Sequence, residues 1–153
     1  VEAVGQAYWP SYFGTVARLL KPGGRACIQS IVIDDALFER YVQGTDFIQQ
    51  YIFPGGCLPS PSRIRAAAQA AGLRVVEEFA FGYDYAETLR RWHQRFIQQR
   101  AQVQAQGFDE RFQRTWEFYL AYCEAAFDAR SIDVVQYTLI KDGERPASSG
   151  TSL

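Results

Sequence analysis

Apolar positions recur along this 153-residue chain at helical spacing in some stretches and in near-continuous runs in others. From Gln6 to Leu20, the residues Tyr12, Phe13, Val16, Leu19 and Leu20 fall on one helical face, and Pro10 suits a first turn. Lys21-Pro-Gly-Gly24 ends that helix. Arg25 to Ile33 then reads as a strand, with Ile28, Ile31, Val32 and Ile33 in a run that predicts a sheet covered on both faces. Asp34 and Asp35 close it. A short helix is expected over Asp35 to Val42 and a further turn over Thr45 to Tyr51. Ser60 as N-cap and Pro61 at the first position predict a helix to Ala71, stopped by Gly72, with a strand from Leu73 to Phe81. Helix, glycine, strand is the rhythm of an α/β protein.

That rhythm breaks after the second strand. Asp84 with Glu87 three residues on reads as a partial capping box. Tyr85, Leu89, Trp92 and Phe96 step along a helix predicted to reach about Gln106. A second helix begins near Asp109, with Phe112, Trp116, Leu120, Cys123 and Phe127 on one face. The pair predicts an antiparallel hairpin inserted before a last strand, Val134 to Lys141. Residues 142–153 are rich in Ser, Gly and Pro and are expected to be a disordered tail.

Between the short helices and Ser60 lies a segment of a different kind, Tyr51-Ile-Phe-Pro-Gly-Gly-Cys-Leu-Pro-Ser60. Pro54 and Pro59 fix φ and donate no backbone hydrogen bond, while Gly55 and Gly56 permit a sharp turn. Tyr51, Ile52, Phe53 and Leu58 are too apolar for a solvated loop. Such a loop either fills a core or lines a pocket for an apolar ligand.

Composition narrows the class. A net charge of −1, a pI near 5.9 and scattered basic residues exclude an electrostatic nucleic-acid binder. No apolar run approaches the length of a membrane span. The cysteines, Cys27, Cys57 and Cys123, form no C-x-x-C pair and read as reduced, mostly buried thiols of a cytoplasmic protein. His93 has no partner cluster and reads as a surface residue. The chain contains no methionine and opens without a capping or turn signal, so it is expected to be a piece of a longer protein cut on its N-terminal side.

Glu2-Ala-Val-Gly5, Lys21-Pro-Gly-Gly24, Asp46-Phe-Ile48, the Tyr51–Ser60 loop and Phe81-Gly-Tyr-Asp-Tyr-Ala-Glu-Thr-Leu89 occur in one order. Phe118 to Phe127 and Asp133-Val-Val-Gln136 continue the series. Together they resemble the C-terminal half of the cyclopropane-fatty-acyl-phospholipid synthases and mycolic acid cyclopropane synthases. The resemblance implies an α/β fold for residues 1–141, the C-terminal part of a Rossmann-like class I methyltransferase domain, with about three strands, the last antiparallel to the others, and a helical hairpin. It implies transfer of a one-carbon unit from S-adenosylmethionine to the double bond of an unsaturated phospholipid acyl chain, closing a cyclopropane ring with bicarbonate as base. Peripheral contact with a membrane surface follows from such a substrate.

Residue by residue, the resemblance assigns Glu2 and Tyr85 to the bicarbonate site, with Ile31 contributing its backbone amide. Read without it, Glu2 is an acid near a helix start and Tyr85 a core aromatic. Gln29 stands where members of the family often carry His; it can donate a hydrogen bond but cannot titrate. Ala3 likewise replaces a frequent His. Phe53, Leu58 and Leu89 match positions that line the acyl pocket. No glycine-rich loop follows a strand and no ribose-binding acid is present, so the S-adenosylmethionine loop is expected outside this chain. Two other readings remain: a lipid-binding piece without chemistry, and a lipid methyltransferase whose product is methyl-branched.

Overall fold

The computed structural model describes residues 1–142. A 3-10 turn at Gln6–Tyr8 leads into α1 (Trp9–Leu19), followed by β1 (Arg25–Ile33), α2 (Asp35–Val42), α3 (Phe47–Tyr51), α4 (Pro61–Ala70) and β2 (Leu73–Ala80). Next come α5 (Gly82–Gln98), α6 (Arg100–Ala105), α7 (Glu110–Asp128) and β3 (Ile132–Lys141). The tail expected after residue 141 lies, apart from Asp142, outside the described residues.

The last strand enters the middle of the sheet. The order is β1-β3-β2, and β3 runs antiparallel to both neighbours, as predicted. Side chains alternate across the sheet, so its two faces acquire separate cores. Trp9 and Phe13 of α1, Phe38 of α2, and Ile64 and Ala68 of α4 pack with Val32, Ile33, Val135, Tyr137 and Leu139. The α5–α7 hairpin covers the opposite face, where Ala86, Leu89, Leu120 and Phe127 pack with Val134 and the half-buried Ile31.

That second cover is partial, which corrects the reading of β1 as buried on both faces. Its apolar run becomes fully buried only at Val32 and Ile33, while Arg25, Cys27 and Gln29 are exposed. The hairpin reaches Ile31 and Val134, which face each other in the register, and leaves the preceding turn of the sheet uncovered. Cys27 is accordingly an exposed thiol; Cys57 and Cys123 are half-buried.

One helix starts where the sequence places it but is capped differently, and another starts elsewhere. Ser60 is the N-cap residue of α4, but its side chain makes no cap bond. Asp35, reaching from α2, accepts from the Ser62 amide at 3.2 Å and from its hydroxyl at 2.5 Å. Helix α5 begins at Gly82, ahead of Asp84, and Asp133 caps it from β3, accepting the Gly82 amide at 2.7 Å. A Cβ on Gly82 would lie 2.5 Å from that same carboxylate oxygen, so the tight strand-to-helix turn has no room for a larger residue. Glu87 instead accepts from Arg90 and Arg91. Trp92 turns out of the hairpin seam and is exposed. His93 is half-buried, and the helix breaks at Gln99 before α6.

Candidate functional site

The Tyr51–Ser60 loop is held by hydrogen bonds from four directions. The Phe53 amide donates to the Ile48 carbonyl at 2.8 Å, and the Gly56 amide to the Phe53 carbonyl at 3.0 Å. The Leu58 amide donates to the Tyr41 hydroxyl at 3.1 Å, and the Gln49 side chain to the Gly56 carbonyl at 3.1 Å. The Cys57 amide donates to the Glu2 carbonyl at 2.9 Å, and the Ile33 amide to the Pro59 carbonyl at 3.0 Å. Gly55 takes φ +83°, a conformation the turn needs and few side chains tolerate. Burial pushes the Cys57 thiol up, which does not favour a nucleophile.

This bracing brings Glu2 onto β1. Its carboxylate accepts the hydroxyl of Ser30, a fully buried side chain, at 2.6 Å. Burial and the Glu2 charge together raise the nearby Tyr12 hydroxyl. Gln29 lies on the opposite face of the strand, exposed, accepting from Gln136 across the register at 3.1 Å. The Ile33 amide points away from β3, toward Pro59, and the alternation of antiparallel pairing puts the Ile31 amide on that same open edge.

Ile31, Tyr85 and Leu89 meet in the hairpin core. The Tyr85 ring packs 5.3 Å from Phe127 and 6.4 Å from Phe81, and its hydroxyl finds no hydrogen-bond partner among the described residues. Tyr119 extends the cluster, with the Phe53 ring edge-on at 6.4 Å. Burial pushes both the Tyr119 hydroxyl and the Cys123 thiol up to about 12. Phe53 is 58% exposed and rims the cluster, while Leu58 packs into the core on the other face of the sheet.

The structure therefore gathers Ile31, Tyr85, Leu89 and Phe53, and holds Glu2, Gln29 and Leu58 elsewhere. Ser30 and Tyr119 were missed from the sequence. Ser30 is the one polar break between Ile28 and Ile33 apart from Gln29, and Tyr119 follows Trp116 by three residues; both signals were present.

Among the described residues no group of metal-ligand side chains assembles, and no helix is long and apolar enough to cross a membrane. Among the described residues the glycine-bearing strand-to-helix turn offers no amide cradle for S-adenosylmethionine. Gly82 is the glycine at a strand-to-helix turn, and Asp133 already occupies its amide.

The chain matches the mycolic acid cyclopropane synthetase family over residues 1–137. It is 47% identical over 146 residues to tuberculostearic acid methyltransferase UfaA1 of Mycobacterium tuberculosis, covering 94% of this chain and 34% of that protein. It is 36% identical over 137 residues to the cyclopropane-fatty-acyl-phospholipid synthase of Escherichia coli, covering 88% of this chain and 34% of that protein. The chain thus spans about a third of the length of these curated relatives. The crystal structure of mycolic acid cyclopropane synthase CmaA1 complexed with SAH and CTAB superposes with a TM-score of 0.82 at 28% identity, over 92% of this chain and 52% of that one. The fold is that of the class I S-adenosylmethionine-dependent methyltransferases, and the chain belongs to the mycolic acid cyclopropane synthetase family.

Proposed function

We propose that residues 1–141 are the C-terminal, acyl-binding portion of a methyltransferase domain that adds a one-carbon unit to the double bond of an unsaturated phospholipid acyl chain. The observation that carries this reading is the cluster of Ile31, Tyr85, Leu89 and Tyr119 with Phe53 at its rim. When bound, S-adenosylmethionine supplies an electrophilic methyl group, and its loop belongs to residues outside this chain. The cluster's part is to exclude water and to set aromatic faces beside the cationic carbon that alkylation of a double bond creates. The Tyr85 hydroxyl, without a partner among the described residues, and the open-edge Ile31 amide are donors suited to a small anion such as bicarbonate, which would accept the proton that the newly transferred methyl group loses as the cation collapses. Glu2 accepts from Ser30 through one carboxylate oxygen, and Gln29 accepts from Gln136 through its Oε1, which leaves the Gln29 side-chain amide N–H groups available to donate to an anion.

Ring closure to a cyclopropane is one outcome, in keeping with the synthases of the family. The 47% identity to a tuberculostearic acid methyltransferase, against 36% to a cyclopropane synthase, favours a branched product instead: proton loss leaves a methylene branch, which becomes a methyl branch once a separate hydride donor reduces it. Incubating the full-length protein with methyl-labelled S-adenosylmethionine and unsaturated phospholipid vesicles tests both, with gas chromatography and mass spectrometry of the released acyl chains. Label in the acyl fraction is expected, and the fragmentation pattern assigns ring or branch. Bound lipid with no label in any acyl chain would leave a lipid-binding protein and sink the enzymatic reading.

A further inference from the structure

A concavity of about 480 Å³ opens where α3 meets the start of α7, lined by Phe47, Tyr51, Asp109, Arg111, Phe112 and Thr115. It contains none of the residues proposed for the acyl wall, and its volume lies within the range of ligand sites. Two of its polar groups are already used. The Asp109 carboxylate accepts the Phe112 amide at 2.7 Å, and the Thr115 hydroxyl donates to the Arg111 carbonyl at 2.8 Å. The Arg111 guanidinium is exposed and forms no ion pair among the described residues, unlike Arg90, Arg91 and Arg100 on the same hairpin.

The apolar lining continues inward. Phe112 stacks 5.9 Å from Trp116, Trp116 lies 4.9 Å from Tyr119, and Tyr119 meets Phe53 at 6.4 Å. An unbroken row of rings thus runs from the concavity to the cluster around Tyr85. On the outer side Phe47 is fixed edge-on against Phe118 at 4.6 Å, and Tyr51 and Phe118 remain more than half exposed. Exposed rings, Tyr51 among them with a polar tip, beside a guanidinium that has no ion pair among the described residues suit the boundary between water and lipid. A guanidinium also grips a phosphate through two parallel hydrogen bonds.

We propose that this groove docks a phospholipid of an anionic bilayer, with Arg111 on the head-group phosphate and the ring row Phe112–Trp116–Tyr119 guiding the acyl chain toward Ile31, Tyr85 and Leu89. The inner destination rests on the acyl-wall reading above; the groove, its charge and its ring row do not.

Vesicle flotation of the full-length protein with unsaturated phosphatidylglycerol tests it. Arg111→Glu is expected to weaken binding roughly ten-fold, Arg111→Lys to recover part of it, and Arg25→Glu on β1 to leave it unchanged. Thermal melts confirm that the variants fold. Brominated acyl chains are expected to quench tryptophan fluorescence through Trp116, so Trp116→Phe removes most of the quench. Wild-type binding by Arg111→Glu, or quenching that survives Trp116→Phe undiminished, would overturn the groove. Label transfer separates this from the enzymatic reading. Transfer by wild type with no Arg111 dependence of binding leaves the enzyme and removes the groove. Arg111-dependent binding without transfer does the reverse.

Discussion

Ser30 ties the start of the chain to the sheet by its hydroxyl alone. Replacing it with Ala leaves the Glu2 carboxylate without its donor, and a hydrogen bond to a charged acceptor is worth about 1.5–3 kcal/mol. Glu2 keeps partial access to water, so the expected loss in urea denaturation is near the lower figure, and Ser30→Thr should restore most of it. Gly82→Ala is expected to cost more, about 2–3 kcal/mol. The added methyl would displace the Asp133 carboxylate, which also accepts the Val134 amide at 2.7 Å, so one substitution removes a helix cap and loosens the entry of β3. An unchanged midpoint for Gly82→Ala would show that the turn can open freely. The family resemblance, rather than any local pattern, assigned Glu2, Ile31, Tyr85, Leu89 and Phe53 to the site. The sequence was silent on which neighbour each finds, because Ser30 stands beside Glu2 only once β1 is paired and the loop folded.

Hydrophobic periods located the strands and most of the helices, but a single helix reaching about Gln106 was expected where the chain forms α5 and α6 with a break at Gln99. The α4 start at Ser60-Pro61 was legible but its cap was not, and the α5 start was misread, for one cause: the capping carboxylate comes from a different element, Asp35 for α4 and Asp133 for α5. A sequence pattern sees only caps that are local, as at Asp46 and Asp109, which it or the fold places directly before their helices. Burial acts to raise the Asp35 carboxyl, but hydrogen bonds from Ser60 and Ser62 and the charge of Arg65 outweigh it and hold the group below the usual carboxylate range. The folded state therefore binds this proton less readily than the unfolded chain. Its stabilisation is fully present above the unfolded value of about 3.9 and is lost as pH falls through the lower folded value. Asp35→Asn is expected to lower the melting temperature at neutral pH, by about 1 kcal/mol of cap stability, and the gap to wild type should close below about pH 4. A gap that stays constant with pH would mean that the side chain matters for packing rather than charge.

At the scale of the whole molecule, the two edges of the sheet are unlike. Strand β2 carries Glu77 and Glu78 and a register shift between Val75 and Glu77, devices that discourage further pairing. Strand β1 has no such bulge, and the amides of Cys27, Gln29 and Ile31 lie along its open edge. Residues 1–153 on their own are expected to self-associate with rising concentration in sedimentation velocity, and Cys27→Lys to shift them toward monomer. Association that ignores a charge at position 27 would place the contact on another surface. The sequence by itself determined most of the elements and the apolar, rigid character of the Tyr51–Ser60 loop, because periodicity, proline and glycine act within a few residues, and the order of its motifs carried the resemblance to the family. Only the tertiary structure decided that the hairpin covers part of a sheet face, that Glu2 and Tyr85 rest among different neighbours, and that Arg111, without an ion pair among the described residues, stands at the end of a row of aromatic rings. Each of these depends on contacts between residues far apart in the chain, which no local pattern encodes.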